Sequence, residues 1–330
     1  MINKKILIFG GSGSLGNALI RRYLGTNTII NYSRDECKHW KMGLLYKSDK
    51  LSFVIGDIRD YDRVENTIIR TNPDIIIIAA ALKHIDKCEY AVQECISTNF
   101  MGPMNVLNSI EKNVDRLSTL RHVVFVSTDK ACSPVNAYGM AKSLGEKLMI
   151  EKSLHIPTVK FVCTRYGNVL NSRGSIIPIL HDKGSDVNCH EFTLTHPDMT
   201  RFVMTLDQSV DLIEHAILRG ESGDIVIPNL VSMKVKDLIE LFSEKYNKPV
   251  RITNLRPGEK ILESLINESQ AMSMTLDTAG YYFIKPPYKN ICIEEQAMDY
   301  NSRTNPFNKV QLKEYLDKFG LLDTNKIDDF

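Results

Sequence analysis

The stretch VSTDKACSPVNAYGMAK, residues 126–142, gathers four side chains that can move protons. Tyr138 and Lys142 stand four residues apart and would share one face of a helix. An ammonium beside a phenol favours the phenolate. A phenolate can take the proton of an alcohol while hydride leaves the same carbon for a nicotinamide. That oxidation needs Tyr138, Lys142 and a hydroxyl such as Thr128, so Asp129 and Lys130 call for a separate explanation. A ketone acidifies the hydrogen on the neighbouring carbon, and a base there can drive β-elimination of a hydroxyl while an acid protonates the departing oxygen. An acid next to a base suits an internal dehydration. At an ordinary strand end the same two residues would be a solvated ion pair.

Such chemistry needs a strand end, a helix and a cofactor brought to one place. Short, β-branched, two-sided apolar runs at residues 6–9, 28–30, 53–55, 75–78, 123–126 and 161–163 read as parallel strands covered on both faces. Helical periodicity occupies 15–24, 63–70, 91–114 and 136–154 between them. The alternation predicts an α/β fold, a Rossmann-like doubly wound parallel sheet. After residue 168 it fails. Extended pieces at 192–194, 225–227 and 250–252 mix with helices near 206–219 and 234–246. We therefore expect a cofactor-binding domain over 1–168 and, interleaved with it, a smaller C-terminal α/β substrate-binding lobe over 169–330. The tail from Asn301 is polar, has one amphipathic piece at 310–319, and carries little signal.

The first strand runs into GGSGSLG, in which Gly10, Ser12, Gly13, Ser14, Leu15 and Gly16 form a turn that opens a helix. Glycines admit a pyrophosphate close to the backbone, and the helix N-terminus offers it free N–H groups. The second strand ends at Ser33 and Arg34. An NAD site usually presents a carboxylate there, whereas arginine suits a 2′-phosphate, so the reading favours NADP over NAD. Asp35 and Glu36 beside it keep NAD in play. Asp57 and Ile58 would lie beside the adenine, and Ala79, Ala80 and Ala81 are small enough to let the cofactor pass.

Composition sets bounds. A formal net charge of +1 with scattered basic residues gives no footprint for nucleic acid or an anionic membrane surface. The longest apolar run, 75–82, is far shorter than the roughly 20 residues of a membrane span. With no leader pattern at the N-terminus, a cytoplasmic protein is expected. Seven cysteines, without a C-x-x-C, read as reduced filler. His84 has no metal-binding partners at a useful spacing, so no metal is expected.

STDKA at 127–131 with YGMAK at 138–142 resembles the inverting nucleotide-sugar 4,6-dehydratases that act on UDP-N-acetylglucosamine, in the extended branch of the short-chain dehydrogenase/reductase superfamily. YSRDE (32–36), AAALKH (79–84), TRYGNV (164–169), SRGS (172–175), MTRF (199–202) and RPGEK (256–260) agree with it, over about residues 4–265. Cys132 and Asn171 depart from the pattern without removing a group the chemistry needs. The resemblance implies that Tyr138 takes the O4 proton and NADP the C4 hydride. Lys130 then takes the C5 proton, Asp129 protonates the leaving C6 oxygen, and hydride returns to C6 with C5 inverted. It also implies tightly held NADP recycled within each turnover, and a homo-oligomer between dimer and hexamer. Arg256 would meet the diphosphate and Glu259 the ribose diol, with Asn168, Arg173, Lys83 and Arg201 as further substrate contacts. Retaining dehydratases carry Thr-Asp-Glu in place of Thr128-Asp129-Lys130, and a 4-epimerase needs no Asp-Lys pair. Both remain alternatives, as does a non-catalytic NADP-binding protein on the same fold.

Overall fold

The computed structural model describes residues 1–289 and 299–323. The six apolar runs form β1 (Lys5–Phe9), β2 (Thr28–Ser33), β3 (Leu51–Ile55), β4 (Ile75–Ile78), β5 (His122–Val126) and β6 (Lys160–Thr164), parallel in the order 3-2-1-4-5-6. Their neighbours along the strand go to opposite faces. Leu7, Phe9, Ile76, Ile78, Val123 and Phe125 enter one core, while Ile6, Ile8, Ile75, Ile77 and Val124 enter the other. Burial on both faces is why these runs show no polar alternation.

The C-terminal half completes this sheet. Ile225–Pro228 adds in parallel beyond β6, and Tyr281–Ile284 and Met274–Leu276 follow antiparallel, making nine strands among the described residues. A second, four-stranded sheet joins Asn168–Val169, Thr200–Met204, Ser232–Lys234 and Pro306–Phe307. Its core includes Phe192, Val203, Leu238, Phe242, Leu312 and Leu316. The last two sit on the helix Lys309–Lys318. The tail as far as Asp323 is thus structural, and its weak signal has a cause: two buried leucines one turn apart, with Tyr315 partly buried beside them, anchor a mostly polar helix.

Two features depart from the expected pattern. The helix predicted over 91–114 is divided into Val92–Ile96 and Gly102–Lys112 by a π-helical turn, Ser97–Met101. Buried Asn99 lies in that turn. Its amide accepts from Leu82 N–H and donates to Leu82 C=O, both at 2.8 Å. The widened turn thereby secures the chain just after Ala79–Ala81. The other feature is a fully buried ion pair. Arg165 Nε and Nη2 donate to Glu146 Oε1 and Oε2 at 3.0 and 2.5 Å, Nη1 donates to Leu265 O at 2.6 Å and Gln270 Oε1 at 2.9 Å, and Ser127 Oγ donates to Glu146 Oε1 at 2.6 Å. This network joins the end of β6, the helix Ala137–His155 and the segment after residue 263.

Removing one partner of such a pair strands a buried charge, which typically costs about 3–5 kcal/mol. Glu146→Leu should lose stability on that scale in urea unfolding, and adding Arg165→Met should recover much of the loss. Equal stability of Glu146→Leu and wild type would contradict the network's structural role.

Candidate active site

Beyond β5 and β6 the backbone pairing continues, with Ser127 N–H donating to Thr164 O at 2.7 Å and Asp129 N–H to Tyr166 O at 2.9 Å. Thr128 then caps a 3-10 turn, Asp129–Ala131. Asp129 is 0% exposed. Its Oδ1 accepts from Thr128 Oγ1 at 2.9 Å and Lys130 Nζ at 2.8 Å, while Oδ2 has no hydrogen-bond partner. Lys130 Nζ also donates to Asn168 Oδ1 at 2.8 Å. The pair is a desolvated contact, not a solvated ion pair at a strand end. Asn168, expected at the nucleotide end, serves as the second acceptor for the Lys130 ammonium.

The helix Ala137–His155 is set directly on this turn. Asn136 caps it by accepting from Gly139 N–H at 2.8 Å, and its own amide donates to Gly258 O at 2.8 Å. Gly139 is required because a side chain there would collide with the Lys130 carbonyl. Tyr138 and Lys142 are both buried. Lys142 Nζ donates to Val126 O at 2.7 Å and lies 4.4 Å from the centre of the Phe125 ring. Burial lowers the Lys142 ammonium to about 8. Burial pushes the Tyr138 phenol up, and Tyr166 and Asp129 add to this, while a hydrogen bond with Thr128 works in the opposite direction. The resting tyrosine is therefore a neutral phenol, which nearby positive charge would activate.

The glycine turn fits a dinucleotide. Gly10 has φ +90°, and a side chain on it would strike the Ala80 backbone, so this turn and the alanine run are in close contact. The helix Ser14–Tyr23 starts at Gly13 with no side-chain cap and no acid in its first turn, leaving its N–H groups for an anion. Leu15 is half-buried beside the sheet, and Ser12 Oγ lies 2.7 Å from Ser33 Oγ. Ser33 Oγ in turn lies 2.5 Å from His39 Nε2, on the helix Glu36–Tyr46, an element not foreseen in the sequence. Burial lowers His39 and favours its neutral form. The Arg34 side chain is 58% exposed, 3.6 Å from Asp57 Oδ2, whereas Arg59 holds Asp57 at 2.7 Å. Ile58 is buried, and Tyr32 donates to Asp57 O at 2.8 Å.

The other expected substrate contacts divide into three groups. Lys83 Nζ donates to Ser172 Oγ at 3.3 Å and to Arg173 O, and Arg173 N–H donates to Ser14 Oγ at 3.0 Å, so the SRGS loop is fastened to the phosphate helix. Arg256 Nη2 donates to Glu259 Oε1 at 2.7 Å. Against its own burial, Glu259 is held below the ordinary carboxylate range by that arginine. The buried guanidinium of Arg201 donates to the carbonyls of Thr200, Ile261 and Lys260, so it anchors the RPGEK loop. Sequence reasoning also passed over Glu263, buried seven residues after Arg256, because a lone acid in a loop carries no periodic or motif signal. Among the described residues no His, Cys, Asp and Glu cluster could hold a metal, no cysteine is in a disulfide, and no helix is long and apolar enough to cross a membrane. Cys292 lies outside the described residues.

Fold and site together define an extended short-chain dehydrogenase/reductase of the nucleotide-sugar epimerase and dehydratase type. Residues 6–286 match the polysaccharide biosynthesis protein family, and the chain belongs to that family. It is 39% identical over 295 residues to a UDP-glucose 4-epimerase of Rickettsia prowazekii, covering 86% of this chain and 83% of that one. The solved structure of Pen from Bacillus thuringiensis superposes with a TM-score of 0.89 at 28% identity, covering 97% and 98% of the two chains. DesIV of Streptomyces venezuelae, a dTDP-glucose 4,6-dehydratase solved with NAD and TYD bound, shares the fold at 17% identity, with a TM-score of 0.66 and coverage of 78% and 89%.

The Lys142 value gives a signed test. Its folded value, about 8, lies below the ordinary 10.5, so between those pH values the unfolded chain binds the extra proton. Stability should rise with pH across that window by at most about 3 kcal/mol, and the full penalty applies below it. Lys142→Met is neutral throughout, so its stability relative to wild type should decline between pH 7 and pH 10. Urea unfolding of the cofactor-free protein at both pH values measures this, and a constant difference would contradict it.

Proposed function

We propose that the protein is an NADP-dependent, configuration-inverting UDP-N-acetylglucosamine 4,6-dehydratase, working in the cytoplasm as a homo-oligomer. The observation that carries this reading is the buried Asp129–Lys130 contact, braced by Thr128 and Asn168 next to Tyr138. An epimerase needs only the oxidation machinery, and a retaining dehydratase would carry glutamate in place of Lys130. The substrate-binding assignments of Lys83, Asn168, Arg173, Arg256 and Glu259 belong to the same proposal.

In this mechanism Tyr138 accepts the O4 proton, with the Thr128 hydroxyl and the Lys142 ammonium favouring the phenolate. A bound nicotinamide would take the C4 hydride and later return it to C6. Substrate excludes water from the Asp129–Lys130 contact, favouring transfer of the shared proton to Asp129. Lys130, now an amine, removes the C5 proton made acidic by the C4 ketone. Asp129 gives its proton to the C6 oxygen, which departs as water, and the pair returns to its charged form. As hydride would return to C6, a solvent-derived proton adds to C5 on the opposite face, giving UDP-2-acetamido-2,6-dideoxy-β-L-arabino-hexos-4-ulose, and Tyr138 releases the O4 proton to solvent. Because the sugar is oxidised and reduced in one cycle, the cofactor has no reason to leave. At the nucleotide end, a diphosphate would draw Arg256 from Glu259 and free that carboxylate for the ribose diol.

Arg34→Asp should weaken NADP at least about tenfold while sparing NAD, since it replaces a phosphate partner by a like charge. Titration with both dinucleotides measures it, and unchanged affinities would remove Arg34 from the 2′-phosphate site.

The wild-type enzyme given UDP-N-acetylglucosamine in D₂O should place deuterium at C5 and yield the L-arabino ring by NMR. A 4-epimerase, the reading suggested by the names of the Rickettsia relatives, would retain the C6 oxygen and leave C5 unlabelled. Lys130→Met should still oxidise C4, seen as reduced-nicotinamide absorbance, with turnover lowered at least about 10². A D-xylo product, or full activity in Lys130→Met, would overturn the inverting assignment.

A further inference from the structure

Arg256, Pro257, Gly258 and Glu259 form a closed turn. Glu259 N–H donates to Arg256 O at 3.1 Å, Pro257 fixes the second position, and Gly258 at the third has φ +74°, the marks of a type II turn. Arg256 N–H also donates to Glu259 Oε2 at 3.1 Å, so the turn is tied across its ends and moves as one unit. Its apex rests on the start of the helix Ala137–His155. A side chain on Gly258 would meet Asn136 Cβ at 2.9 Å, Ile85 Cγ2 at 3.1 Å and Glu89 Cγ at 3.3 Å. Glu89 Oε1 in turn accepts from Ala137 N–H at 2.7 Å. Asn136 is 2% exposed, and both ends of its amide are used: Oδ1 accepts from Gly139 N–H and Nδ2 donates to Gly258 O, each at 2.8 Å. These partners fix its orientation, because a flipped amide would set donor against donor and acceptor against acceptor. Capping needs the oxygen alone, and serine or aspartate would cap as well. The amide caps the helix and holds the turn at once.

We propose that Asn136 is a positioning residue that couples the nucleotide end of the substrate to Tyr138. The inference rests on the assignment of Arg256 and Glu259 to the nucleotide, and it holds for any reaction that begins with oxidation at C4. Arg256 stands two residues before Gly258 and Tyr138 two residues after Asn136, so one hydrogen bond joins the nucleotide grip to the helical turn that bears the base. Lys260 Nζ, donating to Cys132 O at 3.1 Å, fastens the same segment to the chain just after Asp129 and Lys130. A diphosphate that engages Arg256 pulls on a turn that cannot bend internally. The pull passes through Gly258 O to Asn136 and sets the first turn of the helix. Binding energy from a part of the substrate that does not react is thereby used to place Tyr138. Without the bond the nucleotide would be held as well, but its binding would no longer serve the chemical step.

The test is Asn136→Ser, which keeps an uncharged cap but is too short to reach Gly258 O. In the cofactor-loaded wild type, UDP should slow hydrogen exchange of the Gly139 and Met140 amides at least about fivefold, the lower end of typical coupling between sites. In Asn136→Ser, UDP should bind as tightly as before and leave those amides unchanged. Single-turnover C4 oxidation at saturating UDP-N-acetylglucosamine, read as reduced-nicotinamide absorbance, should slow about 10- to 100-fold, the cost of a misplaced reacting group. KM should hardly move, as expected when an interaction serves the transition state and not substrate binding. Protection by UDP that survives in Asn136→Ser, its absence in the wild type, or unchanged oxidation in the variant would make Asn136 a helix cap only and overturn the proposal. If Asn136→Ser does not fold, Gly258→Ala carries the test. It leaves the cap and displaces the turn, so saturating UDP should again give no protection, and retained protection would overturn the proposal. Unchanged UDP affinity in Arg256→Met would instead refute the nucleotide assignment itself.

Discussion

Asp129 is held in place by a backbone hydrogen bond that lies outside any strand, its N–H to the Tyr166 carbonyl at 2.9 Å. The bond prolongs the pairing of β5 with β6, and through it the chain that leaves one strand is read against the chain that leaves the other. Lys130 meets Asn168 because the two segments are in that register. A slip of one residue would turn alternate side chains to the opposite face and separate the pair. The buried Arg165 lies between the paired residues. Its bonds to Glu146 fix the helix that bears Tyr138 and Lys142 relative to the same two strand ends.

The buried charges of this region fall into two kinds. Glu146 and Arg165 satisfy one another bidentately, and both make further hydrogen bonds, which is how a protein interior tolerates an ion pair. Lys142, Asp129 and Glu263 are less complete. Lys142 has one carbonyl and an aromatic ring, and the two acids each keep an oxygen without a hydrogen-bond partner. Groups left in that condition weaken the fold. Such groups concentrate at sites of proton transfer.

The six strands of the first half were legible because burial on both faces leaves an unbroken β-branched run. The glycine turn was legible because close backbone approach admits little else, as the contact of Gly10 with Ala80 shows. Tyr138 and Lys142 could be paired from helical spacing alone. The rest depended on contacts between distant segments. No local pattern places Asn168 on Lys130 or brings Gly258 to Asn136, and nothing in a single arginine distinguishes Arg256 from Arg201, which holds the loop from behind its backbone carbonyls. The π turn at Ser97–Met101 was hidden for a related reason: one extra residue per turn blurs the helical period without ending it. His39 sits on a helix whose face against the core is narrow, with only His39 and Met42 buried, so the amphipathic signal is faint.

The bond between Arg173 N–H and Ser14 Oγ ties a loop of the second half to the first residue of the phosphate helix. On the proposed reaction a dinucleotide seated on that helix need not leave between turnovers, because each turnover leaves the carrier as it began. Such an enzyme would be insensitive to the cell's ratio of oxidised to reduced nicotinamide. Its output would follow the supply of sugar nucleotide alone, so the deoxysugar branch could run through swings in metabolic redox state that would stall an ordinary dehydrogenase.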